Sequence, residues 1–500
     1  MDAIAIYAIT AGGIFATLFL TRTLFSRHLT LPFMVDRHQL WGPWTLISAL
    51  LHVSYATINL FLILFRMKSW SGAGRQAGEL TLVNLIFLLS ATHLSYLADL
   101  VSITCRTCRR IHRAVGWMTV ALVSFHIVVE VQNRQFSFPL HSMQNLFTLI
   151  GACSLGVLSL LSIPWFRHFS ALCLWNLATS SSPEPALKNM PPGSAGDLRT
   201  DLICTDNDPL LSKRAVRRPW VPRAVVSFSA KKTKEEHPVI TAAHIRILLP
   251  RPLKVEAGQY INLLMPSISL SSWMQTHPFT VVSWSRDRQD TIELLLQPRD
   301  GLSADLVGYA PAAKESSISF LALFTGPHGM VEDVSHYGSV LVVTSGFGIA
   351  AAIPYLKKMI YGYDTCTSQV RRLHLMWEVK SVVEMAVAQT LLNNLLEDDI
   401  MDNGYIPIYV RDGLGPNRLP FGEHDRVCLY QGLPDYQNIV SLEASGDQIE
   451  RLPNVRDKQG RTLVMVSAAD GVRDHIRKTV RGHLHQGVKL FELEYQPCAV

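Results

Sequence analysis

The amino-acid sequence predicts a multi-domain protein with an N-terminal α-helical transmembrane bundle, an antiparallel β-barrel and a C-terminal α/β domain. Its 500 residues exceed the usual size of a single domain. The first third is almost free of acidic side chains and holds repeated apolar runs, whereas the chain from about residue 220 onward has an ordinary soluble composition. These shifts predict a transmembrane domain, a linker, a barrel and an α/β domain at residues 1–168, 169–218, 219–330 and 331–500.

Five segments of the first region are long and apolar enough to be predicted as membrane spans. A spanning helix needs roughly 20 mostly apolar residues. The first segment is expected to be retained, because Arg22 and Arg27 follow its apolar run instead of preceding it as in a signal peptide. The predicted spans are residues 3–25, 44–65, 80–100, 112–131 and 144–166.

Arginine is distributed unequally over the loops between these spans, and the richer side is expected to face the cytosol. The richer loops include Arg106, Arg109 and Arg110. The sequence therefore predicts a multi-pass membrane protein, expected in the plasma membrane, with its C-terminal half in the cytosol. The net charge of +6 is modest and contains no long basic cluster, so the expected partner is the lipid membrane and not nucleic acid.

Two histidines of the fourth predicted span, His112 and His126, are candidate metal ligands. Fourteen residues advance a helix by about 21 Å and almost four turns, so both imidazoles lie near one face but toward opposite leaflets. That arrangement suits two haem groups stacked across a bilayer, since imidazole is the usual proximal ligand of such iron. The alternative is two polar residues near the helix ends.

A polar segment rich in proline and serine follows the last predicted span. It runs from about Asn176 to Arg214, and it contains no apolar run that would cross a membrane. This composition is typical of a disordered linker.

The barrel region alternates apolar and polar residues in short runs bounded by proline and glycine, as at residues 244–249 and 291–296. Within it, the string His277-Pro278-Phe279-Thr280 looks like a flavin site. Phe279 and Trp284 are expected to pack around the flavin ring, while the Thr280 hydroxyl faces its polar edge. The alternative is an ordinary barrel strand followed by a turn.

Three further residues are expected to hold the pyrophosphate of the flavin cofactor, because they follow a predicted strand and surround a glycine: Arg299, Gly301 and Ser303. A second glycine turn, Gly326-Pro-His-Gly329, is expected to bridge the flavin site and the next domain. Gly326 is accordingly a candidate cofactor-binding residue.

The α/β region opens with a buried-strand pattern at residues 340–344, which leads directly into Gly346-Phe-Gly348 and a helix beginning near Ile349. This order places backbone N–H groups at the carboxyl end of a parallel strand, where a phosphate binds well. The full dinucleotide fingerprint is incomplete, because alanine-rich sequence replaces its third glycine. The pair Arg371-Arg372 near the next strand favours a 2′-phosphate, and hence NADPH over NADH.

Taken in this order, the motifs resemble the fungal ferric reductase family, which is related to the NADPH oxidases. The resemblance covers residues of about 40–165 and 219–500. It implies flavin and nucleotide domains of the ferredoxin-reductase type. It also implies a mechanism in which cytosolic NADPH reduces FAD, single electrons pass through two b-type haems, and a ferric or cupric chelate is reduced.

The sequence departs from the family pattern at two places. A span carrying a second histidine pair is missing, so each haem lacks one axial ligand. Either His52, His93, His141 or His168 substitutes, or the sequence reflects an imperfect gene model, or the protein is a divergent member. At the last strand Ser467 replaces the cysteine of a Cys-Gly-Pro string, and Ser467 is the candidate catalytic residue beside the nicotinamide.

Three functional hypotheses follow from these residues. The first is a ferric-reductase-type flavoprotein using NADPH, FAD and haem b. The alternative is a membrane-tethered FAD- and NAD(P)H-dependent oxidoreductase that acts on a small organic substrate in secondary metabolism. The third is a non-enzymatic remnant that retains the fold. The pair Cys105 and Cys108 lacks a partner pair at zinc spacing and is assigned no role.

Overall fold

The protein is represented by a computed structural model that divides into two compact units, residues 1–24, 47–92 and 111–209, and residues 25–46, 93–110 and 210–500. Each unit is described separately. The structure describes residues 33–35, 44–65, 67, 69–89, 94–101, 103–133, 219–231, 239–268, 276–299, 301–310, 318–398, 404–412, 419–421, 424–445 and 461–495.

The first unit is helical in its described part. Its helices are α1 (Leu46–Leu64), α2 (Trp70–Leu89) and most of α4 (Cys105–Asn133). They share a small apolar core, formed by Leu62, Ala73, Ala77, Leu80 and Leu122. Among the described helices, residues 105–132 of α4 are long and apolar enough to cross a membrane by themselves. A second span results if α2 and the short α3 (Leu94–Leu100) are counted as one broken segment, and α1 is a shorter apolar helix.

The predicted span boundaries are partly wrong. Helix α2 begins ten residues before the predicted start at residue 80 and ends at Leu89, and α4 begins seven residues before residue 112. Both helices begin after a capping hydroxyl: Ser69 accepts the N–H of Gly72 at 3.2 Å, and Thr104 accepts the N–H of Thr107 at 3.2 Å. Hydropathy does not register such caps. The first and fifth predicted spans and the predicted linker lie outside the described residues.

The second unit contains an antiparallel domain made of two sheets around one apolar core. The four-stranded sheet has the order β7-β4-β3-β8, and the three-stranded sheet has the order β6-β5-β9. The strands are β3 (Arg223–Lys231), β4 (Val239–Leu253), β5 (Tyr260–Leu264), β6 (His277–Thr280), β7 (Gln289–Leu296), β8 (Ile318–Leu321) and β9 (Leu323–His328). Helix α5 (Leu302–Val307) packs two buried leucines into the same core.

The parallel domain of the second unit is a seven-stranded sheet with the order β13-β14-β12-β11-β10-β15-β16. All neighbours pair in parallel except β13 and β14. Its strands are β10 (Ser339–Ser345), β11 (Arg372–Ser381), β12 (Gly404–Asp412), β13 (Leu419–Phe421), β14 (His424–Gln431), β15 (Thr462–Ser467) and β16 (Lys489–Glu492). Its helices are α6 (Ile349–Asp364), α7 (Val382–Asp398), α8 (Tyr436–Ser445) and α9 (Asp470–Gly482). Strand β10 is buried almost throughout, as a central parallel strand should be.

Two short segments complete the described second unit. Strands β1 (Phe33–Val35) and β2 (Trp44–Thr45) pair in antiparallel fashion. Helix α3 and the first turn of α4 also belong to this unit, and they share a cluster of buried residues with β5, formed by Ala98, Cys105, Cys108 and Tyr260. The segment between two membrane helices is therefore part of the antiparallel domain's packing.

Candidate functional site

The turn after β10 has the geometry of a phosphate-binding loop. Gly346 adopts φ 52°, and a 3₁₀ turn over Gly346–Gly348 leads directly into α6. A Cβ atom on Gly348 would lie 1.9 Å from the backbone oxygen of Ser467, so only glycine fits there. The indole N–H of Trp377 donates to the carbonyl of Gly346 at 2.9 Å and fixes the turn from the neighbouring strand. The first N–H groups of α6, beginning at Ile349, consequently face the carboxyl end of the sheet.

Ser467 lies at the same end of the sheet, as its sequence position predicts. Ser467 forms the last residue pair of the β10–β15 register, with Thr344, and its side chain is 2% exposed. Its hydroxyl would lie 3.0 Å from a Cβ on Gly348. Beyond it, the N–H of Ala469 donates to the hydroxyl of Ser345 at 2.6 Å, which joins the ends of the two strands. Ser467 is therefore placed beside the phosphate loop.

The four residues of the predicted flavin string form β6, and their side chains alternate. Phe279 is 8% exposed and belongs to the core of the antiparallel domain. Trp284 instead packs against Tyr361 of the parallel domain, with ring centroids 5.8 Å apart. Strand alternation turns Phe279 toward this core, and the expectation that Phe279 and Trp284 flank one flavin ring stays a prediction. Pro278 pairs with Asn262 on β5.

Thr280 faces the opposite side of β6 and contacts the chain after the last strand. Its hydroxyl lies 2.6 Å from the backbone oxygen of Tyr495 and 3.1 Å from that of Glu494. The phenol of Tyr495 accepts the N–H of Gln297 at 3.2 Å and donates to the carbonyl of Leu295 at 2.8 Å. Its ring lies 6.2 Å from that of Phe347 in the phosphate loop. Tyr495 thus borders β6, β7 and the phosphate loop at once.

The sequence analysis did not predict Tyr495 as a site residue, although an aromatic residue after the final strand pattern was a visible signal. Burial raises the pKa of the Tyr495 phenol, so it stays protonated as a hydrogen-bond donor. Its neighbour Glu494 is also buried. Burial raises the pKa of Glu494 to about 7, although the cationic side chains of Arg106 and Arg473 act in the opposite direction.

The predicted pyrophosphate residues lie together. The N–H of Arg299 donates to the Ser303 hydroxyl at 3.0 Å, and its guanidinium donates to Gln297 Oε1 at 3.0 and 3.2 Å. Gly301 has φ 65°, and a Cβ atom there would lie 3.6 Å from the imidazole of His277. Burial lowers the pKa of His277, with the charge of Asp305 opposing this shift. A cation, two small residues and an imidazole therefore converge at the end of β7.

The glycine turn at the end of β9 has a different neighbour from the predicted one. Asp99 of α3 accepts a hydrogen bond from His328 Nδ1 at 2.7 Å and another from the N–H of Gly329 at 2.9 Å. His328 Nε2 lies 3.2 Å from the hydroxyl of Thr325. Gly326, the predicted cofactor residue, belongs to a turn whose described polar contacts include the Asp99 carboxylate. Sequence patterns do not predict this pairing, because 229 residues separate its partners.

The basic pair that favoured NADPH lies at the wrong end of the sheet. Arg372 begins β11 in register with Ser339, the first residue of β10, whereas Gly346 follows the last. The guanidinium donates to the buried carboxylate of Glu443 at 2.8 to 3.0 Å. At the phosphate-loop end the described cations include Lys380, which is exposed, Arg411, which donates to Glu378, and Arg473, which donates to the carbonyl of Ala468. The argument from Arg371 and Arg372 is therefore wrong on placement.

The two candidate haem ligands both face helix α2. His126 donates from Nδ1 to the carbonyl of Gly74 at 2.7 Å, which leaves Nε2 as the acceptor nitrogen. The ring of His112 lies 6.1 Å from that of Phe87. The other histidine of the described first unit is His52, and no group of three or more potential metal-binding side chains occurs among the described residues. One imidazole per haem is supplied, so the described residues do not complete a haem site.

Flavin and nicotinamide nucleotide fit the residues present better than haem does. A glycine cradle that no other residue would fill lies at Gly348, and the hydroxyls of Thr280 and Ser467 border the same region. Arg299 and Ser303 offer a cation and a hydroxyl for a pyrophosphate. This donor set is suited to phosphate groups and to the polar edge of a ring, and it holds no cluster of metal ligands among the described residues.

Comparison with known families finds three successive matches along the chain. Residues 77–176 match the ferric reductase like transmembrane component, residues 227–332 match an FAD-binding domain, and residues 337–411 match the ferric reductase NAD binding domain. The chain thus carries a transmembrane component like that of ferric reductases, followed by FAD-binding and NAD(P)-binding domains. The three matches follow one another in this order along the sequence.

Individual relatives are similar over limited stretches. "Probable ferric reduction oxidase 1" of Arabidopsis thaliana is 24% identical over 135 residues, which cover 27% of this chain and 18% of that protein. "NADPH oxidase 1" of Mus musculus is 25% identical over 167 residues, covering 30% and 24%. The chain therefore matches less than a quarter of either relative. The solved "Ferredoxin reductase in carbazole 1,9a-dioxygenase" is 14% identical with a TM-score of 0.36, over 55% of this chain and 69% of that one.

Proposed function

We propose that the protein passes electrons from NAD(P)H through FAD to a metal acceptor, such as a ferric or cupric chelate. The observation that carries this proposal is the position of Tyr495. Its backbone meets Thr280 of β6, its phenol meets the end of β7, and its ring meets Phe347 of the phosphate loop. The predicted flavin strand and the predicted nucleotide loop therefore meet at Tyr495, as a direct transfer between two bound cofactors requires. We call the region that they share around Tyr495 the cleft.

Each part of the cleft has a binding role in this proposal. The backbone of Gly346 and Gly348 and the start of α6 at Ile349 receive the phosphates of the nicotinamide nucleotide. Arg299 and Ser303 hold the flavin pyrophosphate, with His277 and Gly301 forming the wall beside it. Thr280 presents its hydroxyl to the polar edge of the flavin ring, and Ser467 presents its hydroxyl to the nicotinamide.

When bound, FAD would allow NAD(P)H, which donates two electrons, to reduce metal ions that accept one electron each. The overall reaction converts one NAD(P)H and two ferric ions into NAD(P)⁺, two ferrous ions and one proton. The protein must orient the two rings and exclude water from between them. Burial of Ser467 and of the Tyr495 phenol at the phosphate loop supports that second role.

The choice between NADPH and NADH rests on different residues from those the sequence indicated. Lys380 follows Glu378 at the carboxyl end of β11, beside the end of β10 in the parallel register. We propose that its exposed ammonium group pairs with a 2′-phosphate, which makes NADPH the preferred donor. Arg411 is the less suitable candidate, because its guanidinium is already bound to Glu378.

The cellular placement is also part of the proposal. The matched transmembrane component and the apolar helix α4 support membrane insertion. We place the FAD and nucleotide domains on the cytosolic side of the plasma membrane, where the coenzyme is available. No electron step is assigned to haem, because the described residues supply one ligand per site.

The direct test is reduction of ferric citrate by the purified, FAD-loaded full chain in detergent, followed with a ferrous-iron dye. We expect two ferrous ions for each NADPH oxidised, and loss of the reaction when FAD is removed. A reduced-minus-oxidised absorbance spectrum of the same sample reports whether haem is present. Flavin bleaching by NADPH without reduction of any ferric or cupric chelate would contradict the proposed acceptor and favour a small organic substrate.

A matched pair of glycine variants ties the activity to the cleft. Gly348→Ala places a Cβ against the Ser467 backbone, whereas Gly471→Ala adds a methyl group where no atom lies within 4 Å. The proposal requires that the first variant loses coenzyme-dependent flavin reduction and that the second retains it.

A further inference from the structure

Four large apolar residues are exposed together on the antiparallel domain. Trp220 is 98% exposed, Val221 46%, Leu321 38% and Leu323 41%. They are neighbours because β3 and β8 pair with Arg223 opposite Leu321, and the N–H of Ala322 donates to the carbonyl of Pro222 at 3.1 Å. Continuing that register places Val221 beside Leu323. We call these four residues the tryptophan patch.

The tryptophan patch is connected to the membrane part through strand β9. Leu323 begins β9, and His328 at its other end is bound by Asp99 of α3. Six residues at about 3.3 Å each make β9 roughly 20 Å long, so the patch lies within that distance of the Asp99 contact. Asp99 in turn stands six positions before Cys105, the first residue of the spanning helix α4. The strand that carries Leu323 therefore ends at α3, the short apolar helix that precedes α4 in sequence.

The chemistry of the patch matches that of a bilayer surface. Tryptophan is enriched at membrane–water interfaces because its ring is apolar while its N–H remains able to bond. Exposed Arg223 lies on the paired strand beside Leu321 and is suited to a lipid phosphate. Contiguous apolar surface rimmed by a cation is otherwise unfavourable in water.

We propose that the tryptophan patch inserts into the headgroup region of the bilayer and holds the antiparallel domain against the membrane. The Asp99 contact holds one end of β9 at helix α3, and the tryptophan patch holds the other end at the lipid surface. This inference rests on membrane insertion of the chain and not on its redox activity, so it survives or fails independently of the proposed acceptor.

The test is fluorescence quenching of the full chain reconstituted in lipid nanodiscs, with and without brominated lipid. Subtracting the signal of a Trp220→Phe variant isolates the emission of Trp220 from that of the other tryptophans. We expect that emission to be blue-shifted, quenched by brominated lipid and protected from iodide in the water. Emission that is red-shifted, open to iodide and unaffected by brominated lipid would overturn the proposal.

A second measurement covers the neighbouring strand and a different occupant. A nitroxide at Leu323→Cys is expected to be more accessible to oxygen than to a water-soluble nickel chelate, and the same label at Leu442→Cys, an exposed apolar residue of α8, should show the reverse. Both variants are made in a background without other reactive cysteines. Equal accessibility at the two positions overturns the proposal. So does protection of residue 323 that persists in detergent and follows dimer formation, because a second copy would then cover the patch.

Discussion

The nucleotide cleft and the helical first unit differ in how their functional groups are held. In the cleft, the geometry depends on the backbone: Gly348 leaves no room for a Cβ, and Trp377 binds the carbonyl of Gly346. In the first unit, the candidate groups His112 and His126 lie on one helix and depend on ligands from another. A site made by its own turn is complete wherever the turn forms. A site shared between helices is complete only when every helix is present.

This contrast explains why the cleft fits its cofactors and the described helices do not complete a haem site. The glycine loop needs one strand, one turn and one helix, all contiguous in sequence. The haem ligands need imidazoles from two separated segments, and the described part of the first unit adds one histidine, His52. The following predictions test how far local geometry suffices in the second unit.

Gly348→Ala is expected to have the largest effect on activity, because its methyl group would lie 1.9 Å from the backbone oxygen of Ser467. Either β15 or the phosphate loop must move, so coenzyme-dependent flavin reduction should fall at least about a hundredfold, or roughly 2.7 kcal/mol of transition-state stabilisation. Stopped-flow flavin bleaching with NADPH measures this. Retained FAD absorbance would show that the antiparallel domain still folds, and a normal rate would contradict the cleft assignment.

Glu443→Gln is expected to destabilise the parallel domain by about 3 kcal/mol or more, because it removes the charge that compensates the partly buried Arg372. Burial alone would raise the pKa of Glu443, but hydrogen bonds from His374 and Arg372 lower it to about 2. Because the folded pKa is below the ordinary value of 4.5, this stabilisation is present above pH 4.5 and is lost as the pH falls toward 2.

Urea unfolding between pH 3 and 7 is the corresponding measurement. Below pH 4.5 the wild-type free energy of unfolding should fall with decreasing pH, and the variant should show a shallower slope there. Glu397→Gln on α7 serves as a control, since that carboxylate is exposed. Parallel slopes for the wild type and Glu443→Gln would contradict a role for Glu443.

Asp99→Ala is expected to loosen α3 from the antiparallel domain. It removes the acceptor of hydrogen bonds from His328 and from Gly329, each worth about 1 to 3 kcal/mol when a charged partner is lost. Amide hydrogen exchange should rise at residues 94–101 and 323–329, while the core of β10 stays protected. Asp287→Ala, an exposed carboxylate on the same domain, is the control. Unchanged exchange at both segments would mean that apolar packing alone holds α3.

The sequence predicted the local elements of the cleft and missed most contacts between distant elements. The glycine turn and Ser467 were placed correctly because a buried strand followed by glycine specifies its own geometry. The burial of Phe279 in the core was not predicted, because period-two alternation does not reveal which face of β6 meets the core. Asp99 and Tyr495 were missed because their partners lie 229 and 215 positions away.

Charge in the sequence was also an incomplete guide. Arg372 looked like a phosphate ligand, yet strand direction places it at the amino end of the sheet with Glu443. The helix boundaries of α2 and α4 depended on the hydroxyl caps Ser69 and Thr104, which a hydropathy window does not weigh. The position of a residue along its strand or helix therefore decided its contacts more than its residue type did.

Lys380→Ala is expected to raise the KM for NADPH by about tenfold, or roughly 1.4 kcal/mol, while the KM for NADH stays unchanged. The reason is loss of one cation beside a 2′-phosphate at the end of β11. Steady-state kinetics with both coenzymes provide the measurement, and Lys478→Ala on the exposed face of α9 is the control. Equal changes with both coenzymes would remove Lys380 from the specificity site.

Glu494→Gln is expected to appear only as a change in the pH dependence of stability. Burial raises the folded pKa of Glu494 to about 7, above its ordinary value of 4.5. A carboxyl group of this kind is most compatible with the folded state when protonated, so its penalty grows as the pH rises from 4.5 and is complete above 7. The variant should therefore gain stability relative to the wild type at pH 8 and show no gain at pH 4. Thermal unfolding at the two pH values decides this, and an equal shift at both would mean that Arg106 and Arg473 keep Glu494 ionised throughout.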